Sequence, residues 1–361
     1  MTVTNHNYCI ILAGGIGSRL WPYSNQHRPK QFLDLLGTGK TLLQSTHTRF
    51  RNILPEENIY ISVYEDYVDL VREQLPDISP SQIITEPVQL STAPAVALTA
   101  AMITAKDPDA NFMISPADQL ILNNEVFKEQ VLQGFEFVST SPNFLVLGVK
   151  ATTPETCYGY LQAGGQTENG FACVKSFTEK PNLDFARFFV ESGEFYWSTG
   201  LFMCHNATLF KALEADYPDI SSLIDMKRAR NNSHQVHTYI RDHYPRMRYQ
   251  SFDMLVLEHN QNVYIEPCTF GWRDIGSWMD FYQISLKDGE GNVTMGANAT
   301  MYNCKNNVVV IPSGKIVLLQ DLENYLVIEK DNPLMICKKD DLAQIRRMMT
   351  DAEVKYGTSL T

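Results

Sequence analysis

The pattern of hydrophobic positions changes its period repeatedly along the first 150 residues. Short continuous apolar runs, typical of buried strands, occupy residues 8–12, 59–63, 82–85, 111–115 and 144–149. Between them, residues 42–50, 67–75, 94–104 and 127–138 carry apolar side chains at helical spacing. This alternation predicts right-handed βαβ units, and therefore an α/β domain with a mixed, mostly parallel central sheet.

The pattern loosens after residue 152. Shorter strands are predicted at 158–163 and 174–179, and a helix at 184–191. Farther on, two β-branched runs at 308–311 and 316–319 are separated by Pro-Ser-Gly-Lys, which predicts a hairpin. Residues 340–355 predict an amphipathic terminal helix, whose apolar positions are Leu342, Ile345, Met348 and Met349. We therefore expect a main domain over 1–288 and a small β-rich extension with a C-terminal helix over 289–361.

Composition narrows the class of protein. The chain has 361 residues, 44% of them hydrophobic, and a net charge of −11. It can bury a large core, and its charge argues against nucleic-acid and anionic-membrane partners. The apolar run after Asn7 stops at Gly14, and no run approaches the length of a membrane helix, so we expect a cytoplasmic protein.

Cysteine and histidine give little sign of a metal centre. The seven cysteines contain no C-x-x-C pair, which favours free thiols. His234 and His237 share a helical face but have no cysteine or carboxylate at ligand spacing nearby, so no zinc site is expected there.

The first strand-like run leads into a glycine loop, Ala13-Gly14-Gly15-Ile16-Gly17, followed by Arg19 and later by Lys30. Glycines allow a sharp turn and close approach of a ligand, and successive backbone N–H groups form a nest for an anion. The two cations add fixed positive charge. Together these features predict a polyphosphate site.

Two other glycine-loop motifs fit less well. The dinucleotide-binding fingerprint G-x-G-x-x-G requires a glycine where Leu20 stands, and Trp21-Pro22 is a poor helix start. Residues 37–41 end like a P-loop, but the position of its first glycine is Asp34. We expect a turn before a helix there.

The longer string L-A-G-G-x-G-x-R-L-W-P-x-S, closed by P-K-Q-F at residues 29–32, resembles the signature of sugar-1-phosphate nucleotidyltransferases, in the mannose-1-phosphate guanylyltransferase branch. The resemblance implies a Rossmann-like, GT-A-like fold. It also implies Mg²⁺-dependent transfer of GMP from GTP to α-D-mannose 1-phosphate, which forms GDP-mannose and pyrophosphate.

Two aspartates follow strand-like runs or tight turns. Asp118 comes after the run 111–115, and Asp274 lies in Gly-Trp-Arg-Asp-Ile-Gly at 271–276. Together the two carboxylates suit one Mg²⁺, although each aspartate could instead cap a following helix. The segments resemble the family motifs P-A-D-H and G-W-x-D-x-G-x-W, which implies that both aspartates bind metal. Gln119 stands where the family has histidine.

Further family motifs are matched with substitutions. Glu86-Pro87 and the stretch 92–95 resemble E-P-x-x-R-N-T-A-P, the segment that implies a base contact by Glu86, but Leu90 and Ser91 replace its Arg-Asn pair.

The sugar-binding motifs are matched in the same way. Residues 158–160 resemble Y-G-Y, and 177–181 resemble F-x-E-K-P. Ser198 replaces the asparagine of W-N-S-G-x-F, and residues 251–253 resemble S-I-D.

The resemblance thus implies a set of site residues with distinct roles. The catalytic residues are Arg19 and Lys30; the nucleotide-binding residues are Leu12, Ala13, Gly14, Gly15, Gly17, Glu86 and Asp118; the sugar-phosphate-binding residues are Gly159, Glu179, Lys180 and Ser198; the metal ligands are Asp118 and Asp274.

The substitutions leave two alternatives open. One is the same transfer with another nucleotide or hexose 1-phosphate. The other is a catalytically silent paralogue that binds a nucleotide sugar and regulates a partner. The expected partners are GTP and mannose 1-phosphate, and a homodimer formed by the β extension and the last helix.

Overall fold

The computed structural model describes residues 6–15, 17–166, 170–230, 233–296 and 298–357, so Ile16 of the glycine loop lies outside the described residues. The chain divides into two compact units. The first comprises Met1–Gly14, Thr46–Ala117 and Ile121–Trp272, and the second comprises Gly15–Ser45, Asp118–Leu120 and Arg273–Thr361. A domain boundary at residue 288 stays a prediction. None of the helices in the described ranges is long and apolar enough to cross a membrane.

A nine-stranded mixed sheet organises the first unit. The strands up to residue 274 are β1 (Asn7–Leu12), β2 (Ile59–Tyr64), β3 (Ile83–Glu86), β4 (Asn111–Pro116), β5 (Gln119–Ile121), β6 (Phe144–Lys150), β7 (Tyr160–Gln166), β8 (Ala172–Thr178), β9 (Phe195–His205), β10 (Val263–Pro267) and β11 (Trp272–Asp274). The order in the sheet is β3-β2-β1-β4-β9-β6-β10-β8-β7, while β5 pairs with β11. Neighbouring strands among β3, β2, β1 and β4 pair in parallel, and so do β6 and β10. Strand β9 runs antiparallel to β4 and β6. The predicted α/β class is confirmed.

Helices alternate with these strands as the periodicity predicts. They are α1 (Leu42–Arg51), α2 (Val68–Gln74), α3 (Thr92–Thr104), α4 (Asn124–Thr140), α5 (Leu183–Ser192), α6 (Asn206–Leu213), α7 (Asp219–Arg230), α8 (Ser233–His243) and α9 (Phe252–His259). The turn predicted before α1 is present, because Asp34 accepts hydrogen bonds from the backbone of Thr38 and Gly39.

The core of the first unit explains why β1 reads as a continuous apolar run. Cys9, Ile10 and Ile11 are fully buried, as expected for a strand covered on both faces. Helix α3 is apolar nearly all round and is buried along most of its length, so it is a core helix rather than an amphipathic one. The seven cysteines are free thiols, as expected.

The register of β1 and β4 determines where the two main loops begin. Leu12 pairs with Pro116, and the backbone N–H of Ala117 donates to the carbonyl oxygen of Leu12 at 3.0 Å. Both strands therefore end at the same edge of the sheet. The glycine loop follows the first strand and Asp118 follows the second, which is the arrangement that the strand pattern predicts.

The second unit contains short strands that pair in parallel, except that the last strand runs antiparallel to the one before it. They are β12 (Val293–Met295), β13 (Asn298–Tyr302), β14 (Val308–Val310), β15 (Ile316–Gln320), β16 (Tyr325–Glu329) and β17 (Leu334–Lys338), with helices α10 (Trp278–Ile284) and α11 (Leu342–Tyr356). One sheet has the order β12-β14-β16-β17 and the other pairs β13 with β15. The hairpin predicted from β14 to β15 is wrong, because these strands lie in different sheets and pair in parallel with strands from other turns.

Buried asparagines explain why strands that are distant in sequence pair in parallel here. The side-chain oxygen of Asn292 accepts hydrogen bonds from both the backbone and the side chain of Asn307, each at 3.0 Å. The side-chain oxygen of Asn307 accepts in turn from the backbone of Tyr325 at 2.8 Å. The two amide side chains therefore link the chain at the starts of β12, β14 and β16. They also accept hydrogen bonds from the backbone N–H groups of Asn307 and Tyr325, which would otherwise need other partners.

The core of the second unit includes residues that follow the glycine loop and residues of helix α10. Leu20, Trp21, Trp278 and Phe281 pack in one buried cluster, and the indole N–H of Trp278 donates to the carbonyl of Trp21 at 3.1 Å. Ile345 of α11 is 1% exposed in the same cluster. The terminal amphipathic helix is thus confirmed, with its apolar face docked on this core.

Candidate active site

Lys30 joins the two predicted metal ligands in the second unit. Its ammonium nitrogen lies 2.9 Å from Asp118 Oδ2 and 3.5 Å from Asp274 Oδ1, and it donates to the carbonyl oxygen of Ile275 at 3.1 Å. All three side chains are largely buried, with 13%, 23% and 26% exposure in that order. The sequence separation is 88 residues between Lys30 and Asp118 and 156 between Asp118 and Asp274, so the fold brings together three predicted site residues.

The glycine loop is fitted closely against Lys30. Gly17 has a φ of +67°, and a Cβ placed there would lie 2.8 Å from Ser24 Oγ and 3.0 Å from both Lys30 Cγ and Lys30 N. A larger residue would be strained in backbone conformation and would displace Lys30. The side chain of Gln31 also donates to the carbonyl of Gly15 at 2.8 Å, which fixes the loop.

Neither aspartate caps a helix. Asp118 is followed directly by β5, and helix α10 is capped by Ser277, whose hydroxyl oxygen accepts from the backbone of Asp280. Gly276 explains the conformation around the second aspartate, since a Cβ there would lie 2.8 Å from Asp274 Oδ2. The helix-capping alternative is therefore wrong for both residues, and their carboxylates are available for another role.

Arg19 adds a second positive charge to this group. It lies in a short 3-10 turn, Ser18–Leu20, directly after the loop, and it is close enough to Lys30 and Asp274 to affect the pKa values of both. The charges of Lys30 and Arg19 thus both act to lower the pKa of Asp274, against the effect of burial.

The pKa shifts follow from burial and from these charges. Burial alone would lower the pKa of Lys30, but the charges of Asp118 and Asp274 outweigh it and raise that pKa. Burial raises the pKa of Asp274, with Lys30 acting in the opposite direction. Lys30 therefore stays cationic beside the carboxylates.

The predicted nucleotide-binding residues of the first unit lie at the carboxyl edge of its sheet. Leu12 ends β1, and the backbone N–H of Ala13 donates to the carbonyl of Ser62 at 2.8 Å. A Cβ on Gly14 would lie 3.2 Å from Glu86 Oε1, so the predicted base-binding glutamate lies directly against the loop.

Glu86 is almost fully buried and is held at both oxygens. Ser62 donates to Oε1 at 3.2 Å and Tyr244 donates to Oε2 at 2.7 Å. Burial raises its pKa, and these two hydrogen bonds act in the opposite direction. The carboxylate is thus fixed in place, although each oxygen retains capacity to accept a further donor.

The predicted sugar-phosphate residues come together elsewhere in the first unit. A Cβ on Gly159 would lie 3.0 Å from Glu179 Oε2, and the carbonyl of Gly159 accepts from the backbone of Ser198 at 2.8 Å. Lys180 pairs with Glu179 and has a φ of +43°, a conformation that a lysine rarely adopts. All four predicted residues therefore belong to one local cluster.

Ser91 is a second residue with unusual backbone geometry. It precedes α3 with φ 77° and ψ −174°, a combination that is almost confined to glycine. This is one of the positions where the sequence departs from the family motif. The side chain of Ser91 makes no capping hydrogen bond to α3.

The sequence interpretation gave no role to three residues that contact predicted site residues, namely Gln89, Tyr244 and Asp253. Gln89 donates to the carbonyl of Gly14 at 2.8 Å, and Tyr244 donates to Glu86. Asp253 accepts a hydrogen bond from the hydroxyl of Ser198 at 2.7 Å. The resemblance of residues 251–253 to S-I-D was the only signal for Asp253. Tyr244 and Gln89 had none, because their partners are distant in sequence.

The donor set fits a hard divalent cation. Two carboxylates share one cationic partner, and within the described ranges there is no group of three or more His, Cys, Asp or Glu residues suited to a metal ion. Mg²⁺ is usually held by one or two carboxylates, with waters and substrate phosphates completing its shell. Asp118 and Asp274 match that pattern.

The chain resembles known proteins along most of its length. The pattern of the nucleotidyl transferase family matches residues 8–291. The mannose-1-phosphate guanylyltransferase of Salmonella muenchen is 32% identical over 94% of this chain and 72% of its own length. The alginate biosynthesis protein AlgA of Pseudomonas aeruginosa is 32% identical over 96% of this chain and 72% of its own length.

A solved structure extends the likeness to three dimensions. The crystal structure named mannose-1-phosphate geranyltransferase, from Thermus thermophilus, superimposes with a TM-score of 0.83 and 26% identity, covering 96% of this chain and 99% of that one. The predicted nucleotidyltransferase fold and enzyme class are confirmed. The chain belongs to the nucleotidyl transferase family and, within it, to the mannose-1-phosphate guanylyltransferases.

Proposed function

We propose that this chain transfers GMP from GTP to α-D-mannose 1-phosphate, releasing pyrophosphate and forming GDP-mannose. The observation that carries the proposal is the contact of Lys30 with Asp118 and Asp274, within a chain that matches mannose-1-phosphate guanylyltransferases over 94% of its length. A phosphate oxygen of the sugar phosphate attacks the α-phosphorus of GTP. The new O–P bond forms as the bond to the bridging oxygen of the β-phosphate breaks.

The chain itself supplies charge and alignment rather than a nucleophile. Arg19 stabilises the negative charge on the β- and γ-phosphates as pyrophosphate leaves, and Lys30 neutralises a phosphate in the same group. The backbone N–H groups of Gly14, Gly15 and Gly17 bind the triphosphate, as expected of a glycine nest. Binding two polyanions next to each other is the main obstacle, and positive charge fixed in place lowers it.

Asp118 and Asp274 are the residues that would hold Mg²⁺. When bound, Mg²⁺ neutralises phosphate charge and polarises the α-phosphate. Lys30 holds both carboxylates in place, and Gly276 leaves space beside Asp274.

Recognition of the base and sugar falls to the first unit. Glu86, with Leu12 and Ala13, binds the nucleotide through a carboxylate that Ser62 and Tyr244 hold in place. Glu179 accepts sugar hydroxyls, and Lys180 meets the sugar phosphate, with Gly159 and Ser198 beside them.

The test is release of pyrophosphate by the purified protein with Mg²⁺, for each of GTP, ATP, UTP, CTP and dTTP against mannose 1-phosphate and glucose 1-phosphate. We expect turnover with GTP and mannose 1-phosphate. Turnover confined to another pair would retain the mechanism and change the substrate. Failure with every pair, together with binding of a nucleotide sugar, would replace the proposal with a silent regulator.

Variants test the roles of the charged residues. Arg19→Ala and Asp274→Ala should lose turnover by about a hundredfold or more, because each removes charge that acts on the reacting phosphates. Arg187→Ala and Asp69→Ala are matched controls, since these residues are exposed by 58% and 95%. Substantial activity in the first pair with intact folding would contradict the roles assigned to them.

We also propose that two copies associate through the β-rich extension. Ile316 and Leu318 of β15 are 77% and 69% exposed, and Leu334 of β17 is 57% exposed, so apolar side chains are presented to solvent. Light scattering of the full chain and of Leu318→Glu tests this. A monomeric mass for the unsubstituted chain at micromolar concentration would exclude the dimer.

A further inference from the structure

Asp253 is a largely buried carboxylate with little structural support. It is the second residue of α9, and the hydroxyl of Ser198 donates to its Oδ1 at 2.7 Å. Within the part of the chain that the structure describes, this is its only hydrogen bond to another side chain. A carboxylate offers about four acceptor positions, so Asp253 retains unused ones, and it is partly accessible to solvent.

An acidic residue at the start of a helix has a simple structural explanation, which is favourable interaction with the helix dipole. The same chain shows what that role looks like. Asp184 is likewise the second residue of its helix, α5, but its side chain is 94% exposed. Burial of Asp253 therefore costs free energy that the helix dipole alone does not require.

The neighbours of Asp253 are the sugar-phosphate residues. Its pKa is affected by the charges of Glu179 and Lys180, and its partner Ser198 is hydrogen-bonded through the backbone to Gly159. Glu179 and Asp253 thus supply two carboxylates and Lys180 one cation to one cluster. A hexose 1-phosphate presents several hydroxyl donors and one phosphate dianion, which is the complementary set.

The hydrogen bond to Asp253 also fixes what Ser198 can do. A serine hydroxyl has one hydrogen, and here that hydrogen is donated to Asp253 Oδ1. Toward a ligand, Ser198 therefore acts as an acceptor. The side chains of Glu179, Asp253 and Ser198 then all accept from hydroxyl groups, and none of them competes with Lys180 for the phosphate.

We propose that Asp253 is a sugar-binding residue, whose carboxylate accepts a hydroxyl hydrogen of the hexose 1-phosphate and orients Ser198 as a second acceptor. This assignment rests on the proposed function, because it names the residue that selects the sugar in that reaction. It predicts that Asp253 affects the sugar phosphate and not the nucleotide.

The experiment compares Asp253→Asn with the unsubstituted chain and with the control Asp184→Asn. Asparagine retains the shape of the side chain but replaces one acceptor oxygen with a donor. We expect the KM for mannose 1-phosphate to rise about tenfold or more in Asp253→Asn, as for a lost hydrogen bond to a charged group, and the KM for GTP to change less than about twofold. Asp184→Asn should leave both constants unchanged.

Monodeoxy analogues of mannose 1-phosphate identify the hydroxyl. One analogue should be a poor substrate for the unsubstituted chain, and Asp253→Asn should turn over that analogue and the parent sugar with similar efficiency. Equal rises in KM for sugar and GTP, or the same loss with every analogue, would assign Asp253 a structural role and overturn the proposal.

Ser198→Ala provides a second variant. Because Ser198 acts through its bond to Asp253, the effects of Ser198→Ala and Asp253→Asn on sugar KM should be less than additive in the double variant. Full additivity would contradict the shared role.

Calorimetry with mannose 1-phosphate alone tests sugar binding by Asp253 independently of the proposed transfer reaction. If the unsubstituted chain turns over no nucleotide, the proposed function fails, but tighter binding of mannose 1-phosphate to it than to Asp253→Asn would still support the assignment. Equal binding of mannose 1-phosphate would overturn it.

Discussion

The ammonium nitrogen of Lys30 lies 2.9 Å from a carboxylate oxygen of Asp118. It also lies 3.5 Å from Asp274, so one lysine contacts both predicted metal ligands. A cation bound by the two carboxylates would occupy the same electrostatic position as this ammonium. If the aspartates hold Mg²⁺ as proposed, the metal ion would compete with Lys30 for them, and the displaced lysine would then meet a phosphate.

Such a competition predicts that Lys30→Met lowers turnover and increases the effect of Mg²⁺ on Tm. The substitution should reduce turnover by about a hundredfold or more, because a charge on the reacting phosphates is lost. It should also remove the cation that contacts both carboxylates, at a cost of about 3 kcal/mol in the free energy of unfolding. Mg²⁺ without nucleotide should then raise Tm more in the variant than in the unsubstituted chain. Lys40→Met, at an exposed lysine, is the control. An equal Mg²⁺ effect on both chains would exclude the competition.

Gly276 tests whether the position of Asp274 matters independently of its charge. A Cβ at residue 276 would lie 2.8 Å from Asp274 Oδ2. The φ of Gly276 is not in the left-handed region. Gly276→Ala should therefore displace the carboxylate without straining the backbone. We expect kcat to fall by about tenfold to a hundredfold and the Mg²⁺ concentration for half-maximal rate to rise.

Gly289→Ala is the matched control, since a Cβ at residue 289 would meet nothing within 4 Å. If both alanine variants keep the activity of the unsubstituted chain, the position of the Asp274 carboxylate does not limit the reaction.

Tyr244 is expected to act on nucleotide binding through Glu86. Its hydroxyl donates to Glu86 Oε2 at 2.7 Å, and this hydrogen bond counteracts the rise in the pKa of Glu86 that burial causes. Tyr244→Phe should raise the KM for GTP by about fivefold to tenfold and leave the KM for mannose 1-phosphate unchanged, because a hydrogen bond to a charged group is lost.

Tyr217→Phe controls for the loss of a tyrosine hydroxyl, because Tyr217 is also buried but donates to the carbonyl of Arg248. A similar effect of both variants on the KM for GTP would indicate a general loss of packing or stability. An unchanged KM in Tyr244→Phe would show that Glu86 needs no support.

Short motifs carry the sequence prediction of the candidate site. The glycine loop, at the end of a strand, and Lys30 indicate a phosphate site, and the resemblance to the family implies that the two aspartates bind metal. The structure brings Lys30 and both aspartates together. Asp253 could not be assigned a role in this way. Its partner Ser198 is 55 residues away on another element, and no periodicity reports a contact of that kind.

In the β-rich extension, the sequence predicts the strands but not how they pair. The β-branched runs at 308–311 and 316–319 predict strands, and β14 and β15 are both strands. Such runs are compatible with a hairpin and with parallel pairing to other strands, so the pairing cannot be predicted from them. The buried side chains of Asn292 and Asn307 decide the matter, because they hydrogen-bond the backbone of the next turn. Their effect depends on a register that only the folded chain defines.

Asp253→Asn is also expected to stabilise the protein, which separates a binding role from a structural one. Burial raises the pKa of Asp253 to about 6, while the hydrogen bond from Ser198 acts in the opposite direction and Glu179 adds to the rise. In the unfolded chain this carboxyl titrates at its usual value, about 3.9. Above pH 6 the folded state therefore carries a charge that costs roughly 1–3 kcal/mol, since one pKa unit corresponds to about 1.4 kcal/mol and partial exposure weakens the effect.

The sign of the pH dependence follows. The folded state binds a proton at Asp253 before the unfolded state does, so the cost decreases as the pH falls from 6 toward 4 and is absent below the unfolded pKa. Asp253→Asn should therefore raise the free energy of unfolding at pH 8 and have little effect at pH 4, as measured by urea denaturation at both pH values. Asp184→Asn should show no such difference, because Asp184 is exposed. Destabilisation of Asp253→Asn at pH 8 would mean that the buried charge serves the fold. Stabilisation together with a weaker affinity for mannose 1-phosphate would mean that the charge is kept at a cost in stability because the substrate needs it.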